Sequence, residues 1–166
     1  MRNRIVFLLT LAVQLSAAGI LVAQQAPASD LTGTWVINRA KSNFAMLPAP
    51  TVDSIVVTRA GNMYQFDATT DFGAQAKQEF VYRWPTGDGE VTNNVNEAIV
   101  HSAIKMKGDT IQQTSEITRE GQTVATQTGR VFRSADGKTM TREVDVRVTS
   151  TPSTDPIHLV FVYDRR

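Results

Sequence analysis

His101 and His158 are the only histidines in this chain, and histidine is the side chain most ready to serve as a metal ligand or general base near neutral pH. A zinc site needs several such ligands, and a haem site needs a proximal histidine in an apolar pocket. Neither histidine is so placed. His101 alternates with Ile99 and Ala103, opposite a Val100–Ile104–Met106 face, and His158 lies opposite Ile157–Leu159–Phe161. Both read as surface or boundary residues. Nucleophilic catalysis needs Ser or Thr beside a base that a third group orients. Glu97 and Ser102 flank His101 in sequence, but neighbours on a strand point to opposite faces, so Ser102 points away from it. There is no Gly-x-Ser-x-Gly, no phosphate loop and no persuasive carboxylate pair. The expectation is a protein that is not an enzyme and has no metal site and no cofactor.

Binding chemistry is better represented. Phe80, Tyr82 and Trp84 alternate along one strand face, and Tyr64, Phe66, Phe132 and Tyr163 take similar positions on other strands. Aromatic side chains of this kind line a core or a ligand cavity. Gln78, Gln113, Arg130 and Arg142 are long polar side chains at alternating positions. On an inward face, an arginine with a tyrosine suits a carboxylate, because the guanidinium fork matches it bidentately. The candidate ligand-binding set is Tyr64, Phe66, Phe80, Tyr82, Trp84, Arg130, Phe132 and Tyr163.

These residues need strands to position them. From Thr51 onward the apolar period is two, which marks half-buried strands. Strands are expected at 52–58, 63–70, 74–84, 97–107, 110–119, 122–134, 139–149 and from 157 onward, after an opening strand near Trp35. Arg59-Ala60-Gly61-Asn62, Gly108-Asp109, Glu120-Gly121 and Ala135-Asp136-Gly137-Lys138 are turns. Asn38 caps a single helical turn, and Leu47-Pro48-Ala49-Pro50 is extended. The Asn-rich stretch 91–96 reads as loop with at most a short strand, and Gly129 as a bulge or bend. No helical pattern long enough for a crossover intervenes, which excludes a parallel sheet. Short hairpin connections favour an all-β, antiparallel up-and-down β-barrel of 8–10 strands, since closure removes the sheet edges. The alternative is a β-sandwich.

The first 28 residues read differently. A basic head, Met1–Arg4, precedes an apolar core and a small-residue Ala26-Pro27-Ala28 end, the layout of a secretory signal peptide. Cleavage is expected after Ala28 or Ala23, which leaves 29–166 as one domain with no stable membrane anchor. Loss of Arg2 and Arg4 takes the 17 Lys and Arg to 15, against 16 Asp and Glu. The basic balance therefore belongs to the leader and does not point to nucleic acid. With no cysteine, disulfides, thiol chemistry and lipoprotein acylation are excluded. The expected address is exported, periplasmic or extracellular.

Gly33-Thr34-Trp35 on the first strand, then Asn38-Arg39-Ala40-Lys41-Ser42-Asn43-Phe44 and a meander of hairpins, resembles the lipocalins and the wider calycin group. More narrowly, Asp30 to Phe44 resembles the opening of secreted bacterial lipocalin-like proteins of largely unknown role. The resemblance implies a barrel in which Gly33 and Trp35 form a plug at one end under an arginine: Arg165 or Arg166, with Arg133 a further candidate. There is no match to the Thr-Asp-Tyr type turn of that group; Thr70-Asp71-Phe72 is only a loose echo. The implied function is binding of a small hydrophobic or amphipathic ligand in the lumen. The competing reading is a non-enzymatic envelope interaction or inhibitor module with a solid barrel, acting through loops 45–51, 85–96 and 150–156 on an unknown protein partner.

Overall fold

Ten strands form where the sequence alternates. They are β1 (Gly33–Ile37), β2 (Val52–Ala60), β3 (Met63–Asp71), β4 (Gln78–Pro85), β5 (Gly89–Val95), β6 (Ala98–Lys107), β7 (Thr110–Arg119), β8 (Gln122–Arg133), β9 (Thr139–Val148) and β10 (Ile157–Arg165). This is a computed structural model that describes residues 30–73, 77–150 and 155–166. The leader read at 1–28, Ala74 and Ala76 of the expected third strand, and most of the 150–156 loop lie outside the described residues.

Every strand but the β4–β5 pair is joined antiparallel to the next in the chain, and β1 pairs with β10, Trp35 opposite Arg165. The sheet order runs β4-β3-β2-β1-β10-β9-β8-β7-β6-β5. The result is a nearly closed up-and-down barrel. The sandwich alternative falls away, because one continuous ladder holds all ten strands. The remaining seam lies between β4 and β5. There Asn93 takes the place of a strand partner: its Oδ1 accepts from the Arg83 N–H at 2.7 Å and its Nδ2 donates to the Arg83 carbonyl at 2.9 Å. The stretch 91–96 is thus a correction to the sequence reading. All of it but the turn residue Asn96 belongs to the full strand β5, whose Asn93 serves the seam.

The end of the barrel where β1 begins is solid. Trp35 and Leu31 are fully buried and pack with Tyr64, Phe66, Ile104, Ile111, Val131 and Met140. The Trp35 Nε1 donates to the Leu31 carbonyl at 2.8 Å. Arg165 lies over the indole, 5.4 Å from the ring centroid, and donates to the Thr32 carbonyl at 2.9 Å. Gly33 makes room for it. Its φ is +137°, and a Cβ there would stand 3.0 Å from Arg165 Nε. Arg133 reaches the same end and donates to the Asp30 carbonyl at 2.8 Å.

Packing, more than the cation, holds the indole. An exposed cation–π contact contributes ~0.5–1 kcal/mol, whereas truncating a buried aromatic costs ~3–5 kcal/mol. Trp35→Ala is therefore expected to lower unfolding free energy by ~3–5 kcal/mol. Arg165→Ala should cost roughly 1–2 kcal/mol, one such contact and one hydrogen bond. Urea denaturation of the two variants checks the order; a larger loss for Arg165→Ala would refute it.

At the other end, the segment after β1 folds over the mouth. Asn38 caps the turn at 39–41, its Oδ1 accepting from the Lys41 N–H at 3.1 Å. Asn43 then exchanges two backbone hydrogen bonds with Val160, both 2.8 Å, and the Phe44 ring meets Phe161 edge-on at 5.8 Å.

Two expectations for β8 change. The irregularity sits at its start, where the pairing slips between Ile117 and Thr118 and leaves Val124 as the extra residue. Gly129 is no bulge. It sits in regular register opposite Val144, and a Cβ there would lie 2.6 Å from the Glu143 carbonyl oxygen. Glycine is thus needed for the close approach of β8 and β9. Gly129→Ala should destabilise by ~1–3 kcal/mol through forced strand separation. Gly87→Ala, where nothing stands within 4 Å, is the matched control. Equal melting temperatures for the two would show that the strands yield freely.

Candidate functional site

The upper half of the barrel, under the Asn38–Thr51 segment, holds a cavity of about 350 Å³. Alternation delivers its lining. Ile55 on β2, Ala68 on β3, Phe80 on β4 and Phe161 on β10 give apolar walls, and Phe44, Leu47 and Pro48 form the lip. Phe80, Tyr82 and Trp84 all face inward as β4 alternates. Tyr82 stacks on Phe66 at 4.6 Å between ring centroids, with the planes 3° apart. Burial pushes the Tyr82 hydroxyl above the ordinary phenol range, so it is protonated at neutral pH.

One side of this cavity is polar. Asp53, Thr70, Gln78, Tyr82, Arg142 and Tyr163 converge there from five strands. Asp53 is only 7% exposed. It accepts from the Tyr163 hydroxyl at 3.0 Å and from Thr70 Oγ1 at 3.4 Å. Burial raises its carboxyl above the ordinary range, against the lowering effect of the two hydroxyl donors and of the Arg142 charge. Burial also pushes the Tyr163 phenol well up, with the nearby Asp53 carboxylate adding to the effect, so Tyr163 keeps its proton and donates it.

Arg142 is the group left over. Its Nε is buried without a hydrogen-bond partner, and among the described residues no carboxylate forms an ion pair with it. A buried, unpartnered guanidinium nitrogen is costly and uncommon. Here its side chain forms part of the cavity wall.

The sequence-selected residues divide into three groups. Phe80, Tyr82 and Tyr163 line the main cavity, and Trp84 lines a smaller space beside it. Tyr64 and Phe66 point inward but are packed into the solid end. Arg130 and Phe132 are corrections. Both lie on the outer face, where Arg130 Nε pairs with Glu143 at 2.7 Å and its guanidinium lies over the Phe132 ring at 5.6 Å. The inward face of β8 is Ala125, Gln127, Gly129 and Val131, since Val131 pairs with Ile111 and Gln127 with Ser115. Of the polar set, Gln78, Gln113 and Arg142 face the lumen. Asp53 was missed, although its alternation with Ile55 and Val57 places it inside.

The histidines are exposed. His101 Nδ1 lies 2.8 Å from Thr92 Oγ1 and His158 Nδ1 2.8 Å from Asp145 Oδ1. Ser102 is buried on the opposite face from His101. Among the described residues no three His, Asp or Glu side chains gather as a metal site.

The stability of the protein should report Asp53. A carboxyl with a raised folded-state pKa contributes stability that is fully present below its unfolded pKa of about 3.9 and is lost as pH rises through the folded value. Between those two points the wild type should lose stability relative to Asp53→Asn. Urea midpoints from acid to neutral pH test this, and parallel curves for the two proteins would contradict it.

This architecture defines an all-β, nearly closed up-and-down antiparallel barrel with an internal cavity. No family model matches the chain, and no curated protein matches it in sequence. Solved structures match it in fold. The apo lipid binding protein 8 (LBP-8) of Caenorhabditis elegans superposes with a TM-score of 0.54 at 7% identity, over 81% of this chain and 94% of that one. A secretory abundant heat soluble (SAHS) protein of Ramazzottius varieornatus gives 0.53 at 9% identity, over 85% and 98%. At such identities the likeness is one of fold.

Proposed function

We infer that this protein is a carrier that takes a small amphipathic molecule into its lumen, with an acidic head at Arg142 and an apolar tail among Phe80, Phe161 and the Phe44–Leu47 lip. The observation that carries the reading is the buried, unpartnered Arg142 Nε in the wall of a cavity of about 350 Å³. A guanidinium recognises a carboxylate through charge-assisted hydrogen bonds, and the Tyr82 and Tyr163 hydroxyls lie on the same wall. The cavity falls in the size range of ordinary ligand sites. That the LBP-8 structure is named for a lipid-binding protein agrees with this reading. The leader at 1–28 supports action outside the cytoplasm.

The competing reading, a solid barrel working through its loops, calls for an interior filled by side chains. The cavity favours the carrier.

Calorimetric titration with dodecanoate and dodecanol tests the assignment. Both should bind, dodecanoate the more tightly. Arg142→Gln should weaken dodecanoate by roughly ten- to a hundredfold, the worth of a hydrogen bond to a charged group, and leave dodecanol nearly unchanged. If neither ligand binds the wild type, the carrier reading is wrong.

A further inference from the structure

A second chamber of about 140 Å³ lies beside the main cavity, against β4 to β9. Phe80, Tyr82 and Arg142 line both spaces, so the Arg142 side chain stands in the wall between them. The two spaces differ in chemistry. Ser102, Gln113 and Ser115 occupy inward positions on β6 and β7 and are 4%, 5% and 3% exposed. Across the barrel the inward positions of β2 and β3 carry Ile55, Phe66 and Ala68, with Asp53 and Thr70 only toward the mouth. Ser102 Oγ and Ser115 Oγ are 2.7 Å apart, and Gln113 Nε2 donates to Ser115 Oγ at 2.8 Å.

Three buried polar side chains in one half of a lumen are costly unless hydrogen-bonded, and these satisfy one another only in part. Their mutual bonds engage one N–H of the Gln113 amide, while a primary amide offers two donors and a carbonyl oxygen with two lone pairs. Ser102 and Gln113 line the chamber directly, and Gln127 on β8 adds a further amide to its wall. The chamber far exceeds the roughly 10–15 Å³ that a single water requires. It has space for several non-hydrogen atoms of a head group.

We propose that this side chamber is a second subsite, which takes hydroxyl or amide groups carried next to the anionic head of an amphiphile held at Arg142. The proposal rests on the carrier reading above and narrows its ligand. A plain fatty acid would occupy the main cavity and leave the serine–glutamine cluster to water. An acylated hydroxy-amino acid, or an acid bearing a nearby hydroxyl, fills both spaces from the one arginine. A site that hydrogen-bonds a ligand hydroxyl discriminates against the analogue that lacks it, since its own buried groups are then left unpaired.

The test is calorimetric titration of the purified protein with dodecanoate, N-dodecanoyl-L-serine and N-dodecanoyl-L-alanine, the last two differing by one hydroxyl. The serine conjugate should bind about tenfold more tightly than the alanine conjugate. Ser102→Ala and Ser115→Ala each remove a single oxygen, and each should shrink that ratio towards one while the alanine conjugate keeps its affinity. Equal binding of the two conjugates to the wild type would show that the chamber holds water only; it would overturn the subsite and leave the carrier standing. A preference for serine that survives unchanged in both variants would also overturn it, because the hydroxyl would then be read elsewhere. Failure of all three ligands to bind would overturn the carrier reading and the subsite together.

Discussion

A β-sheet that ends must leave a row of N–H and C=O groups without partners, and the rest of this molecule depends on how that is avoided. Nine ladders join the ten strands into one sheet, and curling brings its two ends, β4 and β5, together. There the Asn93 amide both accepts from and donates to the backbone of Arg83, as a strand residue would. With the ends so joined, alternate side chains of every strand are committed to a shared interior. The plug, the cavity and the buried polar cluster all follow from that commitment.

The interior is graded along and across the barrel axis. At the end where β1 begins, large apolar side chains meet from most strands and leave no room. Toward the opposite mouth the inward residues are smaller or polar, Ala68, Thr70, Asp53 and Ser102 among them, and space opens. Arg142 stands where the two regimes meet. Its charge is offset in part by Asp53, whose own ionisation is made harder by burial. The lumen thus holds a carboxyl group and a guanidinium that are near each other but not joined as an ion pair among the described residues. Such an arrangement leaves the guanidinium available as a hydrogen-bond donor.

Much of the fold was legible because the physics that forms hairpins is local. Period-two alternation and short Gly-Asn or Asp-Gly turns mark strand after strand, and nothing in the sequence competes with them. The first strand was legible through Gly33 and Trp35. The structure places Arg165 over the indole, in the space that a side chain at Gly33 would fill. The site was less legible, for reasons tied to particular residues. In β8 both faces mix Thr, Gln and Arg with single apolar residues, so alternation does not say which face is inside. Val124 and Phe132 marked the wrong one. Val124 is the extra residue at the register slip, and Phe132 is covered from outside by Arg130. β5 was hidden because an asparagine that bonds to a backbone across the seam looks, in sequence, like an asparagine in a turn. Asp53 was hidden by the habit of assigning a charged residue to water.

The seam has one more consequence. Opening any other joint in the wall requires a run of ladder hydrogen bonds to break at once, whereas the joint between β4 and β5 carries, among the described residues, the two hydrogen bonds of one amide and side-chain packing. Local opening follows the lowest free-energy route. The staves of this barrel are bound all round by continuous hoops except along one plank edge, and that edge borders the polar chamber, of which Asn93 is itself a wall. The weakest line of the wall therefore runs beside the part of the lumen that water can most readily wet.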